Sequence, residues 1–466
     1  MARGDASLRV LLANPYVLRE DRREARLQHL YPPLGTLYVA SSLMREGHEV
    51  RFYDGMFEPS VGTIGPVIGS WRPDVVGVYT IFLTKANSCA IGDMARSRGL
   101  VAVAGGPDAN VEPEAYLEHF DAVVLGEGER TMCEVAAAIS QGHDWREVPG
   151  LALAREGRLV RTAARPRTQD LDALPPPARE LVDMARYERA WRERHGHFSV
   201  SITASRGCPY GCNFCSRPIF GSLYRARSVG SVVAELQALE ATYRPDMVRF
   251  TDDILAIDRR WMLALCEAIR GADLGMGYHA LCRADLMDDE VLSAMRGAGF
   301  RQVDYGVESG SQCVLDAMNK GTTVEGLRRA SAATRRNGID QHWFIMLGYP
   351  GETRADVEAT IALLLEMAPE SFSTTVAYPI RGTRLYSDVE RDLVASAWRQ
   401  SDDVQLMFKN GYPRLFYRWT VLRMRSALML RRRLAGPDQA VLRLYDGACR
   451  AVSTLLAGGS EARGGP

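Results

Sequence analysis

The sequence predicts an α/β protein made of two successive parallel sheets interleaved with helices, followed by a helical C-terminal region. Three observations carry that expectation. Short unbroken apolar runs recur, each followed by a helix-period segment, as strands covered on both faces require. The alternation stops near residue 141, where a hairpin-like segment and a Pro-rich stretch intervene. From residue 198 it resumes with a spacing of about 30 residues, the length of a βαβ unit.

In the first series the strand candidates are Val10–Ala13, Val50–Tyr53, Val75–Phe82, Val101–Ala104 and Ala122–Leu125. The helix-like PPLGTLYVASSLMREG spans Pro32 to Gly47, and a further helix is expected over Thr131–Ile139. Residues 1–140 therefore read as a doubly wound, Rossmann-like domain. Ligands of such sheets bind outside the carboxyl ends of the strands. Gly105-Gly106-Pro107 and Gly126-Glu127-Gly128-Glu129 stand at those ends, where glycine lets a large ligand approach the backbone. Residues 141–197 read as a linker, a small hairpin followed by an extended connector.

The second series has strand candidates Ser199–Ala204, Met247–Thr251, Gly277–Leu281, Gln302–Val307, His342–Leu347 and Ser373–Ala377. Helical patterns at Val232–Leu239, Met262–Arg270, Asp289–Ala298 and Thr353–Met367 separate them. Six such units over 198–385 predict a partial (β/α)6 barrel, whose chemistry belongs at the C-terminal strand ends. Residues 386–466 read as helical and irregular, and the terminal AGGSEARGGP as a disordered tail.

Composition narrows the function. Of 466 residues, 57 are Lys or Arg and 57 are Asp or Glu, so the net charge is zero and no nucleic-acid footprint is expected. The N-terminus lacks the pattern of a secretory signal, and no apolar stretch is long enough to span a bilayer, so a cytoplasmic location is expected. The basic stretch 414–433 interleaves Phe416, Trp419, Leu422, Leu428 and Leu430 with arginines. It could lie on an anionic membrane surface or pack on the barrel with its arginines exposed. His195-x-His197 reads as a solvated pair, and Tyr305 and Tyr378, at strand ends, could face a substrate.

Nine cysteines without a secretory signal do not suggest a disulfide framework. Cys89, Cys133, Cys266, Cys282, Cys313 and Cys449 are scattered and read as small core hydrophobes. The other three form Cys208-Pro-Tyr-Gly-Cys212-Asn-Phe-Cys215, directly after the first strand of the second series. Pro209 and Gly211 disfavour a helix, so the segment reads as a loop wrapping a centre. Soft thiolates suit iron–sulfur clusters and zinc. Three of them leave one iron of a cubane open, as a reactive site requires; a zinc site completed by a distant ligand is the other reading of the spacing.

This CxxxCxxC loop, with Phe214 before its last cysteine, resembles the signature of the radical S-adenosylmethionine (SAM) superfamily. The resemblance implies a [4Fe-4S] cluster on Cys208, Cys212 and Cys215, with SAM on the open iron and Phe214 near the adenine. It implies Asp252 and Asp253 near the methionine moiety, Glu308 and Ser309 near the ribose, and Arg283 pairing with the SAM carboxylate. Gly348-Tyr349-Pro350-Gly351-Glu352-Thr353 and Tyr378-Pro379-Ile380-Arg381-Gly382-Thr383 follow the fifth and sixth strands in the same manner. Residues 8–140 resemble the cobalamin-binding domain found upstream of many such proteins, in Asn14-Pro15, Pro32-Pro33-Leu34-Gly35, Asp54-Gly55 and the two Gly-rich turns. There Thr80, Gly105, Gly106, Gly126 and Glu127 are the candidate cobalamin contacts. No Asp-x-His-x-x-Gly segment is present, so no histidine is identifiable as a lower cobalt ligand.

The resemblance implies cobalamin-dependent C-methylation of an unactivated carbon of a small molecule, with an electron donor such as flavodoxin or ferredoxin. One SAM would methylate cobalamin and another would supply the 5′-deoxyadenosyl radical. The N-terminal run NPYVLRED…YPPLGTLYVASSLMREGHEVRFYDG is similar to the branch containing the anaerobic magnesium-protoporphyrin monomethyl ester cyclase, which makes oxidative ring closure the second expectation. A non-catalytic cobalamin or cluster sensor is the third. No residue stands out as a general acid or base.

Overall fold

The structure, a computed structural model, describes residues 7–393, 411–433 and 439–457. Of the tail expected at 457–466, Ala457 closes the last helix and the rest lies outside the described residues. Two compact units emerge, one holding the chain through Pro209 together with Arg217–Arg249, the other holding Tyr210–Ser216 and the described residues from Phe250 onward.

The first unit opens with β1 (Arg9–Asn14), α1 (Glu24–Leu27), α2 (Leu34–Arg45), β2 (Glu49–Asp54), α3 (Ile64–Trp71), β3 (Val75–Tyr79) and α4 (Lys85–Arg96). It continues with β4 (Val101–Gly105), α5 (Pro107–Val111), α6 (Pro113–Leu117), β5 (Ala122–Val124) and α7 (Gly128–Ser140). After β6 (Leu151–Arg155) and β7 (Arg158–Arg161) come α8 (Met184–His195), β8 (Ser199–Ile202), β9 (Ser205–Arg206), β10 (Arg225–Ala226), α9 (Val229–Tyr243) and β11 (Met247–Phe250).

Seven strands form one sheet in the order β2-β1-β3-β4-β5-β6-β7. The first five in that row are parallel, as the apolar runs predict. Leu11, Ala13, Val76, Val78, Ala102 and Ala104 feed the core on one face. Val10, Leu12, Val75, Val103, Ala122 and Val124 feed the other. Each such valine or leucine contributes about 1.5–3 kcal/mol by leaving water. Because β2 and β3 flank β1, the strand order reverses there and opens a crevice at the carboxyl ends.

The expected linker needs correction. Its hairpin, β6 and β7, pairs antiparallel onto β5 and completes the first sheet. Further on, α8 stands where an extended connector was expected. Asp183 caps it by accepting from Arg186 N, and Gly196 ends it at φ +74°. Its seven charged or histidine neighbours hide a thin apolar stripe, Met184, Tyr187 and Trp191, spaced i, i+3, i+7.

The second unit comprises α10 (Arg259–Ala272), β12 (Gly277–Cys282), α11 (Asp289–Gly297), β13 (Phe300–Glu308), α12 (Gln312–Ala317), α13 (Val324–Arg336) and β14 (Asp340–Leu347). Then follow α14 (Arg354–Met367), β15 (Ser371–Val376), α15 (Arg384–Val389), α16 (Arg414–Arg433) and α17 (Gln439–Ala457). Its strands β12 to β15 are parallel neighbours in the order β15-β14-β13-β12. The helix α13 fills an interval for which no helical pattern was named: Leu327, Ala330 and Thr334 form its buried stripe, and the small residues among them weaken the sequence signal. Tyr305, expected toward a substrate, is fully buried with its hydroxyl against Thr334 of α13. No helix among the described residues is long and apolar enough to cross a membrane.

Candidate functional site

The cysteine loop begins where β9 ends. Gly207 adopts φ +87°, and a Cβ there would lie 2.2 Å from the Leu223 carbonyl oxygen, so only glycine fits. Cys208 N donates to the Gly221 carbonyl, and the Cys208 carbonyl accepts from Arg217 at 2.6 Å. The tip of the loop belongs to the second unit and is braced within it. Asn213 N donates to the Met318 carbonyl and its side-chain amide to that of Ala317, while Asn319 donates to the Gly211 carbonyl. Phe214 packs on Val314, Met318, Met346, Tyr349 and Leu385. The loop is thus fixed largely through its backbone.

Cys208 is buried, Cys212 half-buried and Cys215 exposed, and none of the three is in a disulfide. Among the described residues no three His, Cys, Asp or Glu side chains converge as one ion would need. A cubane takes one thiolate on each of separate irons, so it does not require that convergence. The donor set, three soft thiolates on a backbone-braced loop, fits a cluster.

Several predicted residues meet around this loop through one that sequence reasoning missed, Lys320. Its ammonium donates to Glu308 at 2.9 Å and stands 5.7 Å from the Phe214 ring, while its carbonyl accepts from Arg283. The Arg283 guanidinium lies 3.6 Å from the centroid of Tyr210, the loop's other aromatic. Arg283 also forks onto Asp285 at 3.0 and 3.2 Å. The guanidinium expected to take an external carboxylate therefore already meets one of the chain's own. Glu308 sits at φ +61°, beside a register shift in β13, a strained backbone of the kind found at functional sites. Asp252 is buried and Asp253 exposed.

Ser309 is fully buried; its hydroxyl bonds Thr360 and accepts from Ser311 N, so it holds the turn after β13. Glu352 is buried too. One oxygen accepts from Gly348 N at 2.5 Å and the other has no hydrogen-bond partner; burial, with Asp356 nearby, pushes its carboxyl up to about 8.

The second set of candidates lies along the ends of β3, β4 and β5. Thr80 is fully buried with its hydroxyl accepting from Ala109 N. Gly106, at φ +123°, would place a Cβ 2.5 Å from the Thr80 carbonyl oxygen. Gly126 has φ +76° and open space around it. Asn110, which the sequence did not flag, ties the two turns: it donates to the Gly106 and Val124 carbonyls and accepts from Gly126 N at 2.6 Å. The result is a pair of tied glycine turns, packed tightly against the protein at Gly106 and open at Gly126, where a broad ligand such as a corrin can approach the backbone. No imidazole stands at these strand ends, where the residues are Asn14, Asp54, Thr80, Gly105 and Gly126.

Glu127 departs from expectation. Its carboxylate accepts from Arg206, Arg225 and Thr168 N, while Glu129 takes the other arm of Arg206 at 2.6 Å. Burial would raise Glu127, but the two guanidiniums overcome it and hold the carboxyl below its ordinary range. Its role is therefore to anchor the turn after β5 to the hairpin of β9 and β10, two residues before Cys208.

Comparison with known proteins agrees with both halves. Residues 202–364 match the profile of the radical SAM superfamily and residues 25–136 that of the B12 binding domain. A Pyrococcus horikoshii protein named as an uncharacterized methyltransferase is 30% identical over 387 residues, 81% of this chain and 83% of that one. The anaerobic magnesium-protoporphyrin IX monomethyl ester cyclase of Rubrivivax gelatinosus is 29% identical over 373 residues, 77% of this chain and 66% of that one. Among solved structures, the radical SAM methyltransferase TsrM of Kitasatospora setae, with cobalamin and a [4Fe-4S] cluster bound, shares the fold. Its TM-score is 0.70 at 23% identity, covering 83% of this chain and 75% of that one.

Proposed function

The chain belongs to the radical SAM enzymes that carry a B12-binding domain, and from that membership we propose that it methylates an unactivated carbon of a small molecule. Its cofactors are a [4Fe-4S] cluster, SAM and cobalamin. Bound together, these supply a 5′-deoxyadenosyl radical for hydrogen abstraction and a methyl group for transfer. The chain's own contribution is binding and positioning. Cys208, Cys212 and Cys215 would hold the cluster. Phe214, Asp252, Asp253, Arg283 and Glu308 would surround SAM, with Lys320 keeping Glu308 and the loop aromatics in register. Gly105, Gly106 and Gly126 would receive the corrin. An electron donor of the flavodoxin or ferredoxin class and a cytoplasmic setting belong to the same reading.

The observation that carries it is the three-cysteine loop, which sets three soft thiol donors on a segment whose tip is held by hydrogen bonds to its backbone. The methyl-transfer half is supported by relatives named as methyltransferases, among them the hopanoid C-3 methylase of Methylococcus capsulatus, 26% identical over 412 residues. The test is anaerobic incubation of the reconstituted enzyme with methyl-deuterated SAM and candidate substrates. Deuterated product together with 5′-deoxyadenosine is expected. Release of 5′-deoxyadenosine with an unlabelled, ring-closed or oxidised product would favour the cyclase-like reading, which the similarity to the Rubrivivax protein supports. Cobalamin and cluster bound without any SAM cleavage would favour a sensor.

A further inference from the structure

The C-terminal helix α16 has two functional faces. Its inner face buries Phe416, Tyr417, Thr420, Arg423, Met424, Ala427 and Leu428. Arg423 is 1% exposed and pairs with Glu358 at 2.5 Å and Asp446 at 2.6 Å, so it is a core residue rather than one of a solvated row. That accounts for one side of the helix. On the other, Leu415 is 63% exposed, Leu422 57% and Met429 47%. These three are spaced by seven, which keeps them on one stripe drifting only about 20° per heptad. Arg418 and Arg425, also seven apart, are exposed beside them, with Arg414, Arg432 and Arg433 at the ends. No acidic residue occurs anywhere in α16.

We propose that this outer face is a lipid-docking surface, on which Leu415, Leu422 and Met429 enter the headgroup boundary while Arg414, Arg418 and Arg425 meet anionic phosphates. Scattered single apolar residues on a surface need no explanation. A stripe of three large ones, flanked by an all-cationic row along a 20-residue helix, is the pattern of an interfacial amphipathic helix. Charge selects the occupant. A second copy of the chain would bring arginine rows against each other, which disfavours self-association. An anionic leaflet complements them, with each basic residue adding to its attraction. The helix rests on the surface and does not cross it, in keeping with the lack of any spanning helix among the described residues.

The reading is independent of the methylation proposal, and its test does not use turnover. The full-length, anaerobically reconstituted protein is sedimented with vesicles of equal parts phosphatidylcholine and phosphatidylglycerol, and with vesicles of phosphatidylcholine alone. Binding to the anionic vesicles at least tenfold above the neutral ones is expected, with most of it lost at high salt. The triple variant Leu415→Ser/Leu422→Ser/Met429→Ser and the double variant Arg418→Gln/Arg425→Gln should each reduce it severalfold. All five side chains are exposed, so unchanged circular dichroism and unchanged SAM cleavage are expected of both. Binding to neither vesicle, equal binding to both, or wild-type binding by the variants overturns the proposal. So does a concentration-dependent dimer in light scattering that the serine variant abolishes, since the stripe would then be covered by a second copy.

Discussion

Around the cysteine loop the second unit presents side chains: Tyr210 under Arg283, Phe214 near Lys320, and Glu308 held by the same lysine. Along the ends of β3, β4 and β5 the first unit removes them, leaving glycines whose backbone is spaced by Asn110. The first arrangement suits a small, charged, reactive assembly that needs soft donors and counter-charges. The second suits a broad ligand held by shape. In one region function is written in side-chain chemistry, in the other in its absence.

The sharpest break of that comparison is at the thiols. Cys212→Ala or Cys215→Ala should abolish cluster binding and SAM cleavage, with iron content falling and 5′-deoxyadenosine dropping below detection, while cobalamin binding persists. Next comes the anchor between the turn after β5 and the β9–β10 hairpin. Arg206→Met strands Glu129 and part of the Glu127 partnership in a buried setting and should cost about 3–5 kcal/mol in denaturant unfolding. A smaller effect is expected at the glycine turns. Gly106→Ala combines a forbidden backbone region with a clash against Thr80 and should cost about 3 kcal/mol and weaken cobalamin binding. Gly126→Ala meets only the backbone penalty, about 1 kcal/mol. Equal losses at the two glycines would show that space at the turns is irrelevant.

The last prediction concerns pH. Glu352 is raised in the folded state to about 8, so its contribution to stability is whole below about pH 4.5 and is lost as pH climbs toward 8. Glu352→Gln should remove that loss. Relative to wild type the variant gains on the order of 1–3 kcal/mol between pH 5 and 8 in urea unfolding. A constant difference across that range would place the proton elsewhere.

Legibility in the sequence follows the same division. The three cysteines stood out because their spacing is uncommon, while Phe214 and Arg283 were singled out only by the resemblance. The parallel strands were visible because burial on both faces leaves no polar alternation. Lys320, Asn110 and Asn319 were not, since an ordinary lysine or asparagine acquires its role only from the turns the fold brings beside it. The internal partners of Glu127 and Ser309 were hidden for a related reason. Their motifs mark the right strand ends, yet whether a carboxylate or hydroxyl points to a ligand or back into the protein depends on partners such as Arg206, Arg225 and Thr360. The hairpin of β6 and β7 was legible as a hairpin, but its membership of the first sheet was not, because its pairing with β5 is a long-range fact.

The brace between Gly211 and Asn319 joins positions 108 residues apart. On a ribosome adding about 5–20 residues per second, the thiols emerge roughly 5–20 seconds before the segment that shapes their loop. During that interval they are three unprotected nucleophiles on an unfinished chain. Loading the metal is therefore best timed after translation has passed α12, and an iron–sulfur carrier that engages only the closed loop would avoid delivering its cargo to a nascent chain.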